Sequence, residues 1–256
     1  MTSSVSVTLC CVSTIMDNEE CVLEATGAGH SILVIESVPE STLKDITFRN
    51  GDAQTESGGN VAITNTDDTG GGDHFIINCV FLNGKADQYG GNLHVHNVNS
   101  IWIERSYFSK GRAHGGGALA IRTTSFTIIP QIHIEGCSMH ENRADHGGGM
   151  YISAATGDQD DDITAISLHQ NMFHSNVALF GGAWSLRYTH YNDNAVQDHL
   201  NLMISGNSGQ GNFALTYPTG CDDFSLVLVG DGTLEGDNDN DGAICVAASE
   251  DYNILS

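Results

Sequence analysis

The sequence predicts an all-β chain wound into a single right-handed parallel β-helix, a solenoid of about eight rungs with loops inserted at one corner. Three observations predict it. Two adjacent glycines followed by an apolar stretch return about every 30 residues. A second motif, with a glycine or asparagine and then an alanine at fixed offsets, precedes each good copy of the first. The apolar segments run only four to six residues and lack the 3.6-residue period of an amphipathic helix.

The glycine pairs open GGNVAI at Gly58, GGNLHV at Gly90, GGALAI at Gly116, GGMYI at Gly148 and GGAWSL at Gly181. Weaker copies begin at Gly27 (GAGHSILVI), Gly209 (GQGNFAL) and Asp241 (DGAICV). The second motif is anchored on Phe48, Phe81, Phe108, Met139 and Phe173. Three residues on stand Gly51, Gly84, Gly111, Asn142 and Asn176, the residue types that take left-handed backbone angles most cheaply, so this column reads as a left-handed turn. Five residues on stand Ala53, Ala86, Ala113, Ala144 and Ala178, a column of small side chains for a tight corner. Five residues before the anchor come Leu43, Ile76, Ile103, Ile134 and Leu168, an inward-facing strand column. Two residues before it, Ile46, Cys79, Ser106, Cys137 and Asn171 mix apolar and polar types, and their direction is open.

Like residues recurring once per rung stack at the inter-strand spacing of about 4.8 Å. A coil of parallel strands meets that condition. A leucine-rich horseshoe needs helices, and a propeller needs four antiparallel strands per blade of 40 or more residues. The whole chain, 1–256, reads as one domain: 1–26 as a cap or first rung, 27–250 as repeat rungs, and 251–256 as the start of a further rung or a truncated end. An open sheet edge there makes end-to-end self-association an expectation. Spacing varies through NTDDTGGGDH (65–74), SAATGDQDDD (153–162) and RYTHYNDNAVQDH (187–199), which follow the strand after a glycine pair and are expected on one side of the coil.

Composition narrows function. Thirty-two acidic against nine basic residues give a formal charge of −23, which repels phosphate backbones and anionic membranes, so no nucleic-acid partner and no membrane insertion are expected. No apolar run approaches membrane-spanning length. Residues 1–16 alternate Ser/Thr with apolar residues and have no basic start, a strand pattern rather than a signal peptide. The seven cysteines show no C-x-x-C. One disulfide within Cys10, Cys11 and Cys21, and another between Cys221 and Cys245, fit an oxidising compartment, hence an extracellular or cell-surface location.

GGAL at Gly116–Leu119 and FHSN at Phe173–Asn176 resemble the G-G-A-[ILV] and F-x-x-N repeats of polymorphic outer-membrane-type proteins. More broadly, residues 20–250 resemble the pectin-lyase-like right-handed β-helix superfamily. The exact tetrapeptides occur in only some rungs. The resemblance implies a β-helix with an adhesive or carbohydrate-facing role and brings no catalytic residues with it.

Candidate chemistry comes from the columns. Lys85, Arg112 and Arg143 stand four residues after successive anchors, so three of nine basic residues stack together in an acidic chain. Asp87, His114 and Asp145 stand six residues after, with His146 adjacent. Such a set suits a sugar carboxylate held by cations, with Asp or His moving a proton, as in a polysaccharide lyase, hydrolase or epimerase; a solvated ladder of ion pairs explains the same letters. Asn65–Asp68 with Gly72–His74 resembles a polygalacturonase pattern, but the letters fall within one loop, whereas that chemistry needs carboxylates flanking one bond. His94 and His96 share a strand face, and His114 and His146 are expected to stack: pairs, where a transition metal needs three or four ligands. Asp237, Asp239 and Asp241, in D-x-D-x-D-G, suit a structural calcium ion without the twelfth-position Glu of an EF-hand, Ala248 standing there. Asp158, Asp160, Asp161 and Asp162 form a second acidic loop of the same kind. The sequence favours a non-catalytic surface scaffold facing a polysaccharide or a surface protein, with the polysaccharide-active enzyme as the alternative.

Overall fold

A computed structural model describes residues 6–10, 21–27, 29–66, 71–124, 130–156, 164–190, 200–214, 226–229 and 233–235. These residues contain strands and no helix, hence none long and apolar enough to cross a membrane. Every strand pairing is parallel. The strands form three long sheets: sheet A of eight strands, and sheets B and C of seven each. One rung shows the plan. Asp73–Ile77 lies in sheet A, Val80–Leu82 in sheet B, Lys85–Ala86 in a short corner ladder and Leu93–His96 in sheet C; Ser100–Glu104 then returns to sheet A beside Asp73–Ile77. The chain is therefore a parallel β-helix, with eight strands stacked in sheet A.

The predicted columns lie in register. Leu43 pairs with Ile76, Ile76 with Ile103, Ile103 with Ile134 and Ile134 with Leu168, all buried. Phe48, Phe81 and Phe108 stack face to face, 5.2 and 4.7 Å between ring centroids, in the sheet B column that continues through Met139 and Phe173. Ile46, Cys79, Ser106, Cys137 and Asn171 are buried as well, which settles their inward direction. Their polar members are satisfied by the backbone: the Ser106 hydroxyl accepts from Cys79 N–H at 3.1 Å, and Asn171 Oδ1 accepts from Cys137 N–H at 2.9 Å. Burial pushes the Cys79 thiol up to about 11 and that of Cys137 to about 12, so both are inert protonated core residues.

The left-handed turn falls one residue earlier than predicted. Positive φ occurs at Asn50, Asn83, Lys110, Glu141 and Ser175, between 53° and 66°, not at the Gly/Asn column. Each of these residues donates its N–H to the neighbouring rung, as Asn83 does to Ser109 O at 3.0 Å, which offsets the cost of the conformation. The glycines that follow have another cause. A Cβ at Gly51, Gly84 or Gly111 would overlap the carbonyl of Gly59, Gly91 or Gly117, where the turn runs against the glycine pairs.

Two further readings shift. In GGGM the left-handed glycine is Gly147, matching Gly58, Gly90, Gly116 and Gly181, so the pair is Gly147–Gly148 rather than Gly148–Gly149. The weak copy at Gly209 belongs to the other motif: Gly209 pairs with anchor Phe173, and Ala214 with Ala178. The length variation does sit at one corner, between sheets C and A, where Val61–Thr64 is followed by Asp73–Ile77 and Trp184–His190 by Leu200–Ser205. Strands Met150–Thr156 and Trp184–His190 extend past the predicted loop starts at 153 and 187. Cys21 is disulfide-bonded while Cys10 is free. Cys221, Cys245 and residues 251–256 lie outside the described residues.

Candidate functional site

The polar and aromatic residues gather where the short corner ladder turns, through the glycine pairs, into sheet C. The corner holds Lys85, Arg112 and Arg143 in register on three successive rungs, with Asp52 before them and Val177 after. All three cations are exposed. Lys85 meets Asp52 at 3.6 Å, whereas Arg112 and Arg143 have no ion pair among the described residues. In a chain of charge −23, two arginines without an ion pair among the described residues stand on adjacent rungs.

Beyond these arginines, His114 Nδ1 lies 2.7 Å from Asp145 Oδ2, both side chains half exposed. A carboxylate against one ring nitrogen fixes the imidazole and leaves the other nitrogen for proton exchange. Asp87 does not join them. Its rung carries one more residue, so Gln88, rather than Asp87, supplies the carbonyl that accepts from Gly115 N–H, and Asp87 is exposed without an ionic partner among the described residues.

The next column is Tyr89, Gly115, His146 and Phe180, bridged in register. His114 and His146 meet edge to face at 5.5 Å, and His146 stacks on Phe180 at 5.1 Å. Gly115 has a steric reason: a Cβ there would lie 2.8 Å from the Tyr89 ring and 3.2 Å from that of Tyr151. The two tyrosine rings thereby stack at 6.0 Å over sheet C. Arg122 Cζ lies 3.8 Å from the Tyr89 ring centroid, a cation–π contact in place of an ion pair.

Under this cover is His94, beside Ala62 and Ala120 on the outward side of sheet C, yet only 5% exposed. Its ring stacks on His96 at 5.8 Å, and His96 Nε2 meets the Thr124 hydroxyl at 3.1 Å. Burial drives His94 down to about 3, with His96 and Arg122 adding to it. His96 is lowered for the same reasons, burial first and Arg122 second. Both are neutral imidazoles near pH 7.

No group of three metal-ligating side chains converges among the described residues, so the histidine pairs remain pairs. Of the polygalacturonase-like letters, Asp73 and His74 lie in sheet A away from this corner, and Asp67 and Asp68 lie outside the described residues; His74 faces the interior, accompanied by Ser41 at 2.7 Å. Asp158, Asp160, Asp161, Asp162, Asp237, Asp239 and Asp241 fall outside the described residues. Tyr89, Arg122, Tyr151 and Phe180 went unnoticed in the sequence, although an aromatic or imidazole ring directly before the glycine pair, at 89, 146 and 180, was a readable column. Comparison of the chain with protein-family models, with curated proteins and with solved structures returns no match.

Proposed function

We propose that the chain is a non-catalytic surface scaffold of the extracellular space or cell surface that holds a glycan at this corner. The carrying observation is that Arg112 and Arg143, exposed and without an ion pair among the described residues, lie on successive rungs three residues before the column of Tyr89, Gly115, His146 and Phe180. The exposed ring of Phe180 and the partly exposed ring of His146 suit the apolar face of a sugar, and arginine forks suit carboxylate or sulfate substituents. The disulfide at Cys21 supports an oxidising location, and the repeat's likeness to pectin-lyase-like and outer-membrane-type β-helices supports a carbohydrate-facing role.

The test is a panel of neutral and acidic polysaccharides, screened for binding and for cleavage with and without calcium. Binding without turnover is expected, with the double variant Arg112→Gln, Arg143→Gln weakening it at least about tenfold, the scale of losing charge-assisted hydrogen bonds. No binding across the panel sinks the proposal. The His114–Asp145 contact favours one second reading, a lyase, hydrolase or epimerase on an acidic glycan. Turnover that is abolished by Asp145→Ala establishes it in place of the scaffold.

A further inference from the structure

Three of the buried side-chain atoms that have no hydrogen-bond partner lie together beside the tyrosines. Neither Nδ1 nor Nε2 of His94 has a hydrogen-bond partner, and Nε of Arg122 is also buried and unpartnered. Elsewhere Asp52 Oδ1 and Thr164 Oγ1 also lack a partner, whereas His74 is matched with Ser41, and Asn60, Asn92, Asn142 and Asn176 with one another and with the backbone. A neutral imidazole carries one N–H and one bare nitrogen, and an arginine Nε always carries an N–H, so two of the three atoms lack an acceptor and one lacks a donor. Arg122 adds a positive charge with no ion pair among the described residues, its guanidinium resting on Tyr89. A cation is excluded by that charge, and no third metal ligand is at hand among the described residues. The group that fits brings negative charge and several acceptor oxygens in a small volume.

We propose that His94 and Arg122, behind the Tyr89 ring, form a binding site for a compact oxyanion: a carboxylate, sulfate or phosphate group, free in solution or borne on a larger molecule. Arg122 supplies the charge and His94 the buried donor. Tyr89, only partly exposed and backed by the empty side-chain position of Gly115, separates the site from solvent. The proposal shares residues with the glycan-facing corner but does not require the ligand to be a glycan.

The test uses the intact chain and follows its thermal midpoint against sodium sulfate, phosphate and acetate, with chloride at matched ionic strength. A uronic acid and its methyl ester form a further pair of arms. A saturable rise in midpoint is expected with at least one oxyanion and not with chloride. It disappears in His94→Leu and in Arg122→Met and persists in Arg112→Gln, Arg143→Gln. A shift with the uronic acid but with none of the free anions assigns the site to a carried group. His94→Leu without anion is expected to be at least as stable as the parent, since it removes buried polar atoms that have no partner. Should that variant not fold, the imidazole nitrogen resonances of His94 in the parent chain decide, and they are expected to move on anion titration. No saturable shift, a shift that survives His94→Leu, or resonances that report an ordered water only overturns the proposal. Oxyanion binding without polysaccharide binding counts against the scaffold reading alone; polysaccharide binding without an oxyanion response counts against this one alone.

Discussion

At the scale of single residues, the chain solves one recurring problem in two ways. Every rung must satisfy a buried N–H just after the left-handed turn. In the early rungs the acceptor is the asparagine after a glycine pair: Asn60 Oδ1 takes Gly51 N–H at 2.8 Å and Asn92 Oδ1 takes Gly84 N–H at 2.9 Å. Later the asparagine sits in the turn itself. Asn142 serves Gly111 at 2.8 Å, Asn176 serves Asn142 at 3.0 Å, and Asn212 serves Asn176 at 3.0 Å, while Ala118, Gly149 and Ala183 occupy the vacated place. Asn142→Ala therefore strands Gly111 N–H and the Phe108 carbonyl in the interior, and about 2–4 kcal/mol of stability is expected to go, read from the denaturant midpoint. A loss below about 0.5 kcal/mol contradicts the ladder's role. Three histidines give a pH signature, and His96 is lowered in the same direction as the other two. His74 is held down to about 4 and His94 to about 3, both mainly by burial. The unfolded chain binds these protons near pH 6.5 and the folded chain does not. Their stabilisation is thus complete above about pH 6.5 and is lost as pH falls toward 4 and then 3. Most carboxylates titrate near pH 4, so the interval from 6.5 to 5 isolates the histidines. A thermal midpoint that falls over that interval, and falls less steeply in His94→Leu, is expected; a flat or rising profile refutes it.

Elements show what the letters disclosed and what they did not. The parallel coil, the inward Leu/Ile column and the alanine corner were legible because identical side chains repeat at the rung period, and stacking is a property of that period alone. The turn's phase was not legible. Gly or Asn at one column suggested a left-handed backbone, but there the constraint is space, and the left-handed residues just before include Lys110 and Glu141, whose types give no hint of it. A sharp contrast between two glycines follows. Gly84 is not left-handed; a Cβ there meets the backbone of Gly91 and Asn92, which cannot yield without moving a rung, so Gly84→Ala is expected to cost at least about 3 kcal/mol, the upper end of overpacking. Gly136 is left-handed at φ 61°, with its nearest neighbour the flexible Arg105 side chain at 3.6 Å, so Gly136→Ala costs only the backbone strain, about 1–2 kcal/mol. Equal costs in urea unfolding defeat the distinction. The candidate site was half legible for the same reason. His114 and Asp145 share a column and do meet, whereas the extra residue in the rung of Asp87 displaces it, and Arg122 reaches Tyr89 across rungs by a route no column marks.

For the molecule as a whole, a coil in which each rung touches only its neighbours makes stability a local quantity. Central strands have a partner on both sides and a closed interior: Ser100–Glu104 lies between Asp73–Ile77 and Gln131–Glu135, with Ile101 and Ile103 fully buried. Among the described residues, strand Ser6–Cys10 pairs only with Glu40–Lys44. Its Val7 and Leu9, which continue the inward columns of Ser41 and Leu43, are each 38% exposed. Opening that strand forfeits one ladder and little buried area, while opening a central strand breaks two ladders and uncovers the core on both sides. Native-state hydrogen exchange is therefore expected to grade along the coil, fastest at Ser6–Cys10 and slowest at Ile101, Ile103 and Ile134. Measuring it at two protein concentrations separates the edge from its possible use: protection at Ser6–Cys10 that grows with concentration means a second copy pairs there, as an unpaired edge permits. Protection at Ser6–Cys10 equal to the centre at every concentration requires one cooperative opening of all rungs, and rules out the local ledger of neighbouring ladders from which this gradient is drawn.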